Sequence, residues 1–101
     1  MLIEQVRYYF EQAAMADVLD ARRQESRIRE SLNLTPGVIL IPDDPSPDEP
    51  LLVWQCGYED ESQMAGTEQS LIDSEEYKAA RDRLASLVTR VDLDLFVADE
   101  S

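Results

Sequence analysis

The residues of this sequence that could do chemistry together are one glutamate and three large aromatic residues. Glu4 and Tyr8 occupy even positions of one apolar segment, and Trp54 and Tyr58 occupy even positions of another. If both segments are strands, these side chains share one sheet face, because side chains alternate along a strand. Aromatic rings beside a few polar groups are typical of a small-molecule site, and a carboxylate there can move a proton. The pattern predicts a pocket with Glu4 as the catalytic candidate and the three aromatic residues as ligand-binding candidates.

Tyr77, near the start of a predicted helix, is a further ligand-binding candidate. A simpler interpretation of all five residues is a filled core. In that case Tyr8, Trp54 and Tyr77 are packed without space, and Glu4 pairs with an arginine of the first helix. The residue types favour this interpretation. The two interpretations differ in whether a cavity lies beside Glu4 and Tyr8.

The absence of histidine is the most restrictive fact of the composition. It excludes a histidine general base, a Ser-His or Cys-His nucleophile pair, and histidine ligands to haem or zinc. The single cysteine, Cys56, cannot build a thiolate metal cluster, and we interpret it as a buried, inert thiol. The acidic residues match neither an EF-hand loop nor another metal-binding motif. The sequence therefore predicts no metal site and no cofactor.

Nine basic and twenty-two acidic residues give the chain a net charge of −13. Such a surface repels phosphate backbones and anionic lipid head groups, which disfavours nucleic-acid and membrane-surface roles. No apolar run approaches the roughly 20 residues that a bilayer-spanning helix needs, and the N-terminus lacks the pattern of a signal peptide. One unpaired cysteine fits a reducing compartment. We therefore expect a cytoplasmic protein whose residues 1–101 form a single domain.

Hydrophobic periodicity predicts four strands and three helices. The strands cover residues 2–10, 38–42, 51–59 and 91–97. The first helix runs from about residue 12 to 32, and a shorter one from Asp60 to about residue 71. The third begins at Asp73 or Ser74, with Glu76 completing a capping box to Asp73. Residues 42–50 form an acidic, proline-rich loop that cannot pair in a sheet.

This order of elements predicts a ferredoxin-like βαββαβ domain of the α+β class, an antiparallel four-stranded sheet with helices on one face. The strands have apolar residues at both parities, so the face without helices also needs a cover. The apolar residues concerned are Ile3, Tyr9, Val53 and Phe96. A second copy of the chain is the expected cover, giving a homodimer that forms a dimeric α/β barrel. We also expect Arg7 to form an ion pair with Asp92 or Asp94.

Three short motifs resemble those of NIPSNAP-like proteins in the dimeric α/β-barrel superfamily. Residues 74–78, S-E-E-Y-K, are similar to the S-P-E-W-K helix start of that family, and Arg81-Asp82 are similar to its R-D stretch. Val53-Trp54 is similar to a V-W pair on the third strand, and residues 4–8 are similar to an E-x-R-x-Y first strand. The resemblance covers most of the chain, and it implies a ferredoxin-like fold.

The resemblance implies no single reaction, since the superfamily includes cofactor-free monooxygenases, isomerases, decarboxylases and haem-degrading enzymes. Val6 and Cys56 stand where the family usually has arginine, so the sequence predicts a less basic pocket and disfavours an anionic ligand. We therefore expect a homodimeric domain that binds a small apolar or aromatic molecule or has a structural role. The alternative is a cofactor-independent monooxygenase or isomerase acting on a small aromatic or enolic substrate.

Overall fold

The computed structural model describes residues 1–99, and it contains four strands and three α-helices. The strands are β1 (Leu2–Tyr9), β2 (Val38–Leu40), β3 (Leu52–Tyr58) and β4 (Arg90–Val97). The helices are α1 (Met15–Ser31), α2 (Glu61–Ile72) and α3 (Glu75–Leu87), and a 3₁₀ turn (Gln12–Ala14) precedes α1. All strand pairs are antiparallel, in the order β2-β3-β1-β4. The predicted α+β, ferredoxin-like fold is confirmed.

The capping residues of α2 and α3 are short polar side chains. The Asp60 carboxylate accepts a hydrogen bond from the Gln63 N–H at 2.8 Å, and the Ser74 hydroxyl accepts one from the Tyr77 N–H at 3.1 Å. Each satisfies an N–H that has no partner inside its helix. The predicted capping box at Asp73 is wrong, because Asp73 ends α2 and Ser74 caps α3.

The core lies between one face of the sheet and the helices, and α1 and α3 pack side by side above it. Trp54 of β3 is at its centre, with 2% of its surface exposed. Its indole N–H donates to the Pro36 carbonyl at 3.0 Å. Gly37, with a φ of 78°, lets the chain pass close over this ring: a Cβ on Gly37 would lie 2.3 Å from Trp54 Nε1. The turn before β2 and the core ring therefore fix each other's positions.

The two parities of β4 face different surroundings. Leu93 is opposite Val6 of β1, and Val91 is opposite Tyr8, so these side chains lie on the helix side of the sheet. The helices do not reach far enough to cover them, because β4 is an edge strand. Val91, Leu93, Leu95 and Val97 keep between 48% and 78% of their surface exposed.

The face away from the helices, called here the open face, is mixed rather than apolar. The apolar residues expected there, Ile3, Tyr9 and Val53, are half-buried, and Phe96 is 48% exposed. Between them Arg7 forms an ion pair with Asp94 and a longer one with Asp92, at 3.8 Å. The predicted ion pairing of Arg7 is confirmed.

Candidate ligand-binding site

A cavity of about 220 Å³ lies between the helix side of the sheet and the helices α1 and α3. Four of the five predicted site residues line it: Glu4, Tyr8, Trp54 and Tyr77. Tyr58 lines an adjoining cavity of about 260 Å³, which shares Glu4 and Tyr77 with the first. The structure therefore brings the predicted residues together around open space. On the β4 side the wall includes Val91 and Leu93, which are about half exposed.

Glu4 is connected to an arginine of α1 through a tyrosine. The Tyr58 hydroxyl donates to Glu4 Oε1 at 2.9 Å, and Arg29 Nη1 donates to the Tyr58 oxygen at 3.4 Å. The expected pairing of Glu4 with an arginine of the first helix is therefore indirect. The carboxylate remains at the boundary between the two cavities.

Burial raises the pKa of the three site tyrosines above the ordinary value of 10.0. The pKa of Tyr77 rises to about 12, mainly through burial, with the negative charge of nearby Glu25 adding to the shift. The pKa values of Tyr8 and Tyr58 rise further, also mainly through burial. All three hydroxyls are therefore neutral near pH 7, and they can donate hydrogen bonds but do not act as phenolate bases.

Two arginines that the sequence did not identify as site residues lie beneath α1. Arg22 is 1% exposed and Arg29 is 4% exposed. Both guanidinium carbons lie over the Trp54 ring, 4.3 Å and 4.5 Å from its centroid. Both arginines line the 220 Å³ cavity. Cation–π contact with an aromatic ring is a way to hold a guanidinium in a largely apolar region.

The spacing of these arginines along α1 is a sequence signal that could have indicated their position. Val18, Arg22, Glu25 and Arg29 follow one another at steps of four, three and four, which places them on one side of a helix. Sequence reasoning included neither arginine in the site, because arginine side chains are normally exposed. Both are nevertheless buried, because stacking on Trp54 and contacts with buried partners compensate part of the cost of burial.

The buried charges of α1 are incompletely paired. Arg22 Nη1 contacts Glu25 Oε1 at 3.2 Å. Arg29 Nη1 has only long contacts, to the Thr35 carbonyl at 3.3 Å, the Tyr58 hydroxyl at 3.4 Å and the Cys56 sulfur at 4.0 Å. Within residues 1–99, three buried side-chain atoms have no hydrogen-bond partner: Arg22 Nε, Glu25 Oε2 and Arg29 Nε. A buried polar group without a partner is costly, so such a cluster marks a place where a further molecule can bind.

The cavity is positively charged although the chain is strongly acidic. Its charged lining consists of three arginines and two glutamates, a net charge of +1, against −13 for the whole chain. The arginines are Arg22, Arg29 and Arg81, all from helices. The prediction of a less basic pocket considered strand positions alone, so it missed all three.

Cys56 lies at the edge of this cluster and is 3% exposed. Its sulfur is 4.0 Å from Arg29 Nη1. The predicted burial of this thiol is confirmed, but it has a basic neighbour that the sequence did not reveal. Within the described part of the chain, no group of three or more Cys, Asp or Glu side chains could hold a metal ion, and no helix there is long and apolar enough to cross a membrane.

Structural comparison identifies proteins with the same fold. An uncharacterized NIPSNAP domain protein from Burkholderia xenovorans matches with a TM-score of 0.76 and 16% identity, over 99% of this chain and 96% of that one. A NIPSNAP family protein from Agrobacterium tumefaciens matches with a TM-score of 0.78 and 18% identity, over 98% and 86%. The fold is that of the NIPSNAP domain. The resemblance expected from the sequence is confirmed at the level of structure.

A putative antibiotic biosynthesis monooxygenase from Nitrosomonas europaea also shares the NIPSNAP-like fold. Its TM-score is 0.70 and its identity 17%, over 97% of this chain and 98% of that one. No protein-family model matches the sequence, and no curated protein matches it either. At these identities the comparisons establish architecture, and the activity must be argued from the site.

Proposed function

We propose that the protein is a homodimeric domain of NIPSNAP-like type that binds a small molecule in the 220 Å³ cavity. The observation that carries this proposal is the set of buried, incompletely paired charges of α1 beside open space. These charges would not stabilise a purely structural core, since unpaired buried charge destabilises the folded chain. A bound molecule would give those atoms partners and make the arrangement favourable.

The cavity has the composition of a ligand site. Its apolar wall includes Val6, Leu84 and Val88, and its polar groups come from the sheet, from α1 and from α3. Tyr8 and Trp54 present large ring surfaces, while Glu4 and Tyr77 present polar atoms at the rim. An apolar space with a few convergent polar groups fits a small apolar or aromatic molecule better than a peptide.

Dimer formation is supported by the apolar surface of β4. The helix-side row, from Val91 to Val97, and Phe96 on the open face are all about half exposed or more. An edge strand with apolar side chains on both faces is a site for association. In a homodimer a second copy would cover these residues and narrow the cavity at its β4 side. Sedimentation is expected to give a mass near twice 11.5 kDa.

We place the protein in the cytoplasm, which fits its one free cysteine.

The binding proposal is tested by filling the cavity. Ala85 of α3 lines it, and its side chain is exposed in this chain, so Ala85→Trp can fill the space without cutting into the core. Neutral fragments such as indole and benzamide are titrated into protein with ¹³C-labelled methyl groups. Shifts of the Val6, Leu84 and Val88 methyl signals are expected in the native protein and lost in Ala85→Trp.

Ala79→Trp is the matched control, because Ala79 is an exposed residue of the same helix outside the cavity lining. It is expected to bind the fragments as the native protein does. Fragment binding that survives Ala85→Trp, or shifts confined to methyl groups elsewhere, would overturn the assignment of the site.

The second candidate function is a cofactor-independent monooxygenase or isomerase. Its support is the position of Glu4 at the cavity, hydrogen-bonded by the Tyr58 hydroxyl, together with the monooxygenase name of some proteins of this fold. In such an enzyme Glu4 would take a proton from the substrate, and Tyr8 and Trp54 would position its ring. Deuterium uptake by a small aromatic ketone in D₂O, abolished by Glu4→Gln, is the expected signature; equal uptake in the variant excludes Glu4 as the base.

A further inference from the structure

We propose that the ligand is a small monocarboxylate with an apolar body, whose carboxylate binds to Arg22 and Arg29 beneath α1. The inference rests on the proposed function, because it concerns the same cavity, and it names the chemical class of the molecule. It reverses the expectation that the pocket disfavours anions. The arginines missing from the strands are replaced by two that reach the cavity from a helix.

Each of the two arginines has a hydrogen-bond donor that no protein group within residues 1–99 accepts from. Arg22 Nε and Arg29 Nε are buried N–H groups without a hydrogen-bond partner among the described residues. Both guanidinium carbons lie within 4.5 Å of the Trp54 ring centroid, so their separation is at most twice that distance. A carboxylate carbon lies about 4 Å from each guanidinium carbon that it pairs with. Both groups line the same cavity, and in the proposed complex one carboxylate lies between them and accepts from both.

The charge of the site has the right sign and size for a single anion. The charges of the five charged side chains of the lining sum to +1. Glu25 is occupied on one oxygen by Arg22, and Glu4 is occupied by the Tyr58 hydroxyl. Both carboxylates repel an anion, so in the proposed complex the ligand carboxylate lies against the arginines and away from both glutamates. A monoanion would neutralise the cavity, whereas a dianion would carry excess charge into a region next to two glutamates.

The remainder of the cavity is apolar, which determines the body of the ligand. Val6, Leu84 and Leu93 bound the space beyond the arginines. A volume of about 220 Å³ is below the usual range for drug-sized ligands, and it fits a single ring or a short branched chain. Trp54 is already stacked with guanidinium groups. A flat ring that continues from the carboxylate toward β4 would lie against the apolar wall.

The test compares three molecules of one shape. Benzoate, benzamide and benzylamine are titrated into the native protein, with affinities measured by calorimetry. Benzoate is expected to bind at least about tenfold more tightly than benzamide, because a charge-assisted contact to a guanidinium is stronger than a neutral one. The ¹⁵N signals of the Arg22 and Arg29 Nε–H groups are expected to shift with benzoate.

The outcomes separate this inference from the proposed function. If benzamide binds as tightly as benzoate, the cavity binds small molecules but the anion site is overturned. If benzylamine binds more tightly than benzoate, Glu25 Oε2 and not the arginines selects the ligand, which also overturns it. If none of the three perturbs the cavity methyl groups, the small-molecule function itself fails.

Variants locate the preference for benzoate. Arg22→Gln and Arg29→Gln are each expected to reduce it at least about tenfold. Arg29→Lys retains the charge without Nε, and it is expected to fold and yet to lose part of the preference. Arg27→Gln is the matched control, because Arg27 is an exposed residue of the same helix outside this cavity. An equal loss in Arg27→Gln would attribute the preference to overall charge and overturn the site.

Discussion

The two faces of the sheet differ in how far their charged side chains are buried and paired. On the open face Arg7 and Asp92 are half-buried and Asp94 is exposed, and each has an oppositely charged partner. On the helix side Arg22 and Arg29 are buried, and each retains an unpartnered Nε atom. Water can solvate the open-face charges whether or not their ion pairs form. The buried arginines can be stabilised only by other protein groups or by a ligand. Function is therefore expected on the helix side, where the fold leaves polar atoms incompletely paired.

The largest expected difference between the faces comes from two neighbouring residues of β3. Trp54→Ala removes the ring on which both arginines stack, and a loss of about 4 kcal/mol in the free energy of unfolding is expected. Val53→Ala, one position along on the open face, is the control and is expected to cost clearly less, since Val53 is only half-buried. Urea unfolding followed by circular dichroism measures both. Equal losses would show that the open face carries as much of the stability as the core.

A smaller difference is expected from removing one carboxylate charge on each face. Glu25→Gln leaves the buried Arg22 without its ionic partner, and a loss of about 3 kcal/mol is expected. Asp94→Asn removes one of the two acidic partners of Arg7 on the open face, where water replaces it, and no measurable change is expected. Both substitutions preserve side-chain shape, so thermal unfolding of the two variants compares burial alone. A larger loss in Asp94→Asn would contradict the assignment of the open-face network as solvated.

The architecture was predictable because it depends on periodicity, which a sequence displays directly. Strands, helices, the ferredoxin-like order and the meeting of Glu4, Tyr8, Trp54 and Tyr77 all follow from spacings of two and of three to four. The sequence left Asp73 and Ser74 open as the capping residue of α3, because both have similar capping chemistry, and only the capping box to Asp73 was wrong. Such an error leaves the fold unchanged.

The charge of the site was not predictable by the same reasoning. Arg22 and Arg29 have the spacing of buried residues, but arginine is normally assigned to the surface because of its desolvation cost. That cost is reduced by Trp54, which is distant in sequence and lies beneath α1 only after β3 has joined the sheet. The alternating apolar residues of β4 are a second feature that the sequence pattern did not predict correctly. Their alternation indicates a buried face, whereas the position of β4 at the sheet edge leaves Val91 and Leu93 about half exposed.

The smallest expected effect is a pH dependence confined to the helix side. Tyr77 has its pKa raised from 10.0 to about 12, mainly by burial. Because the folded chain holds the phenol neutral, this residue contributes its full stability below pH 10, and the contribution is lost as the pH rises through about 12. The free energy of unfolding is therefore expected to fall across this interval, and Tyr77→Phe is expected to make the fall less steep.

Tyr9→Phe is the matched variant from the open face, where Tyr9 is half-buried and lies under the Arg90 guanidinium. Urea unfolding of the native protein and both variants is measured at several pH values between 10 and 12, the range set by Tyr77. An equally reduced slope in both variants would contradict a helix-side origin of the effect. A reduced slope in Tyr77→Phe alone would show that the phenol beside Glu25 is held neutral by the same burial that leaves the Nε atoms of Arg22 and Arg29 without partners. The pH dependence and the preference for a carboxylate would then share one cause, a poorly hydrated cavity whose charges the protein alone does not satisfy.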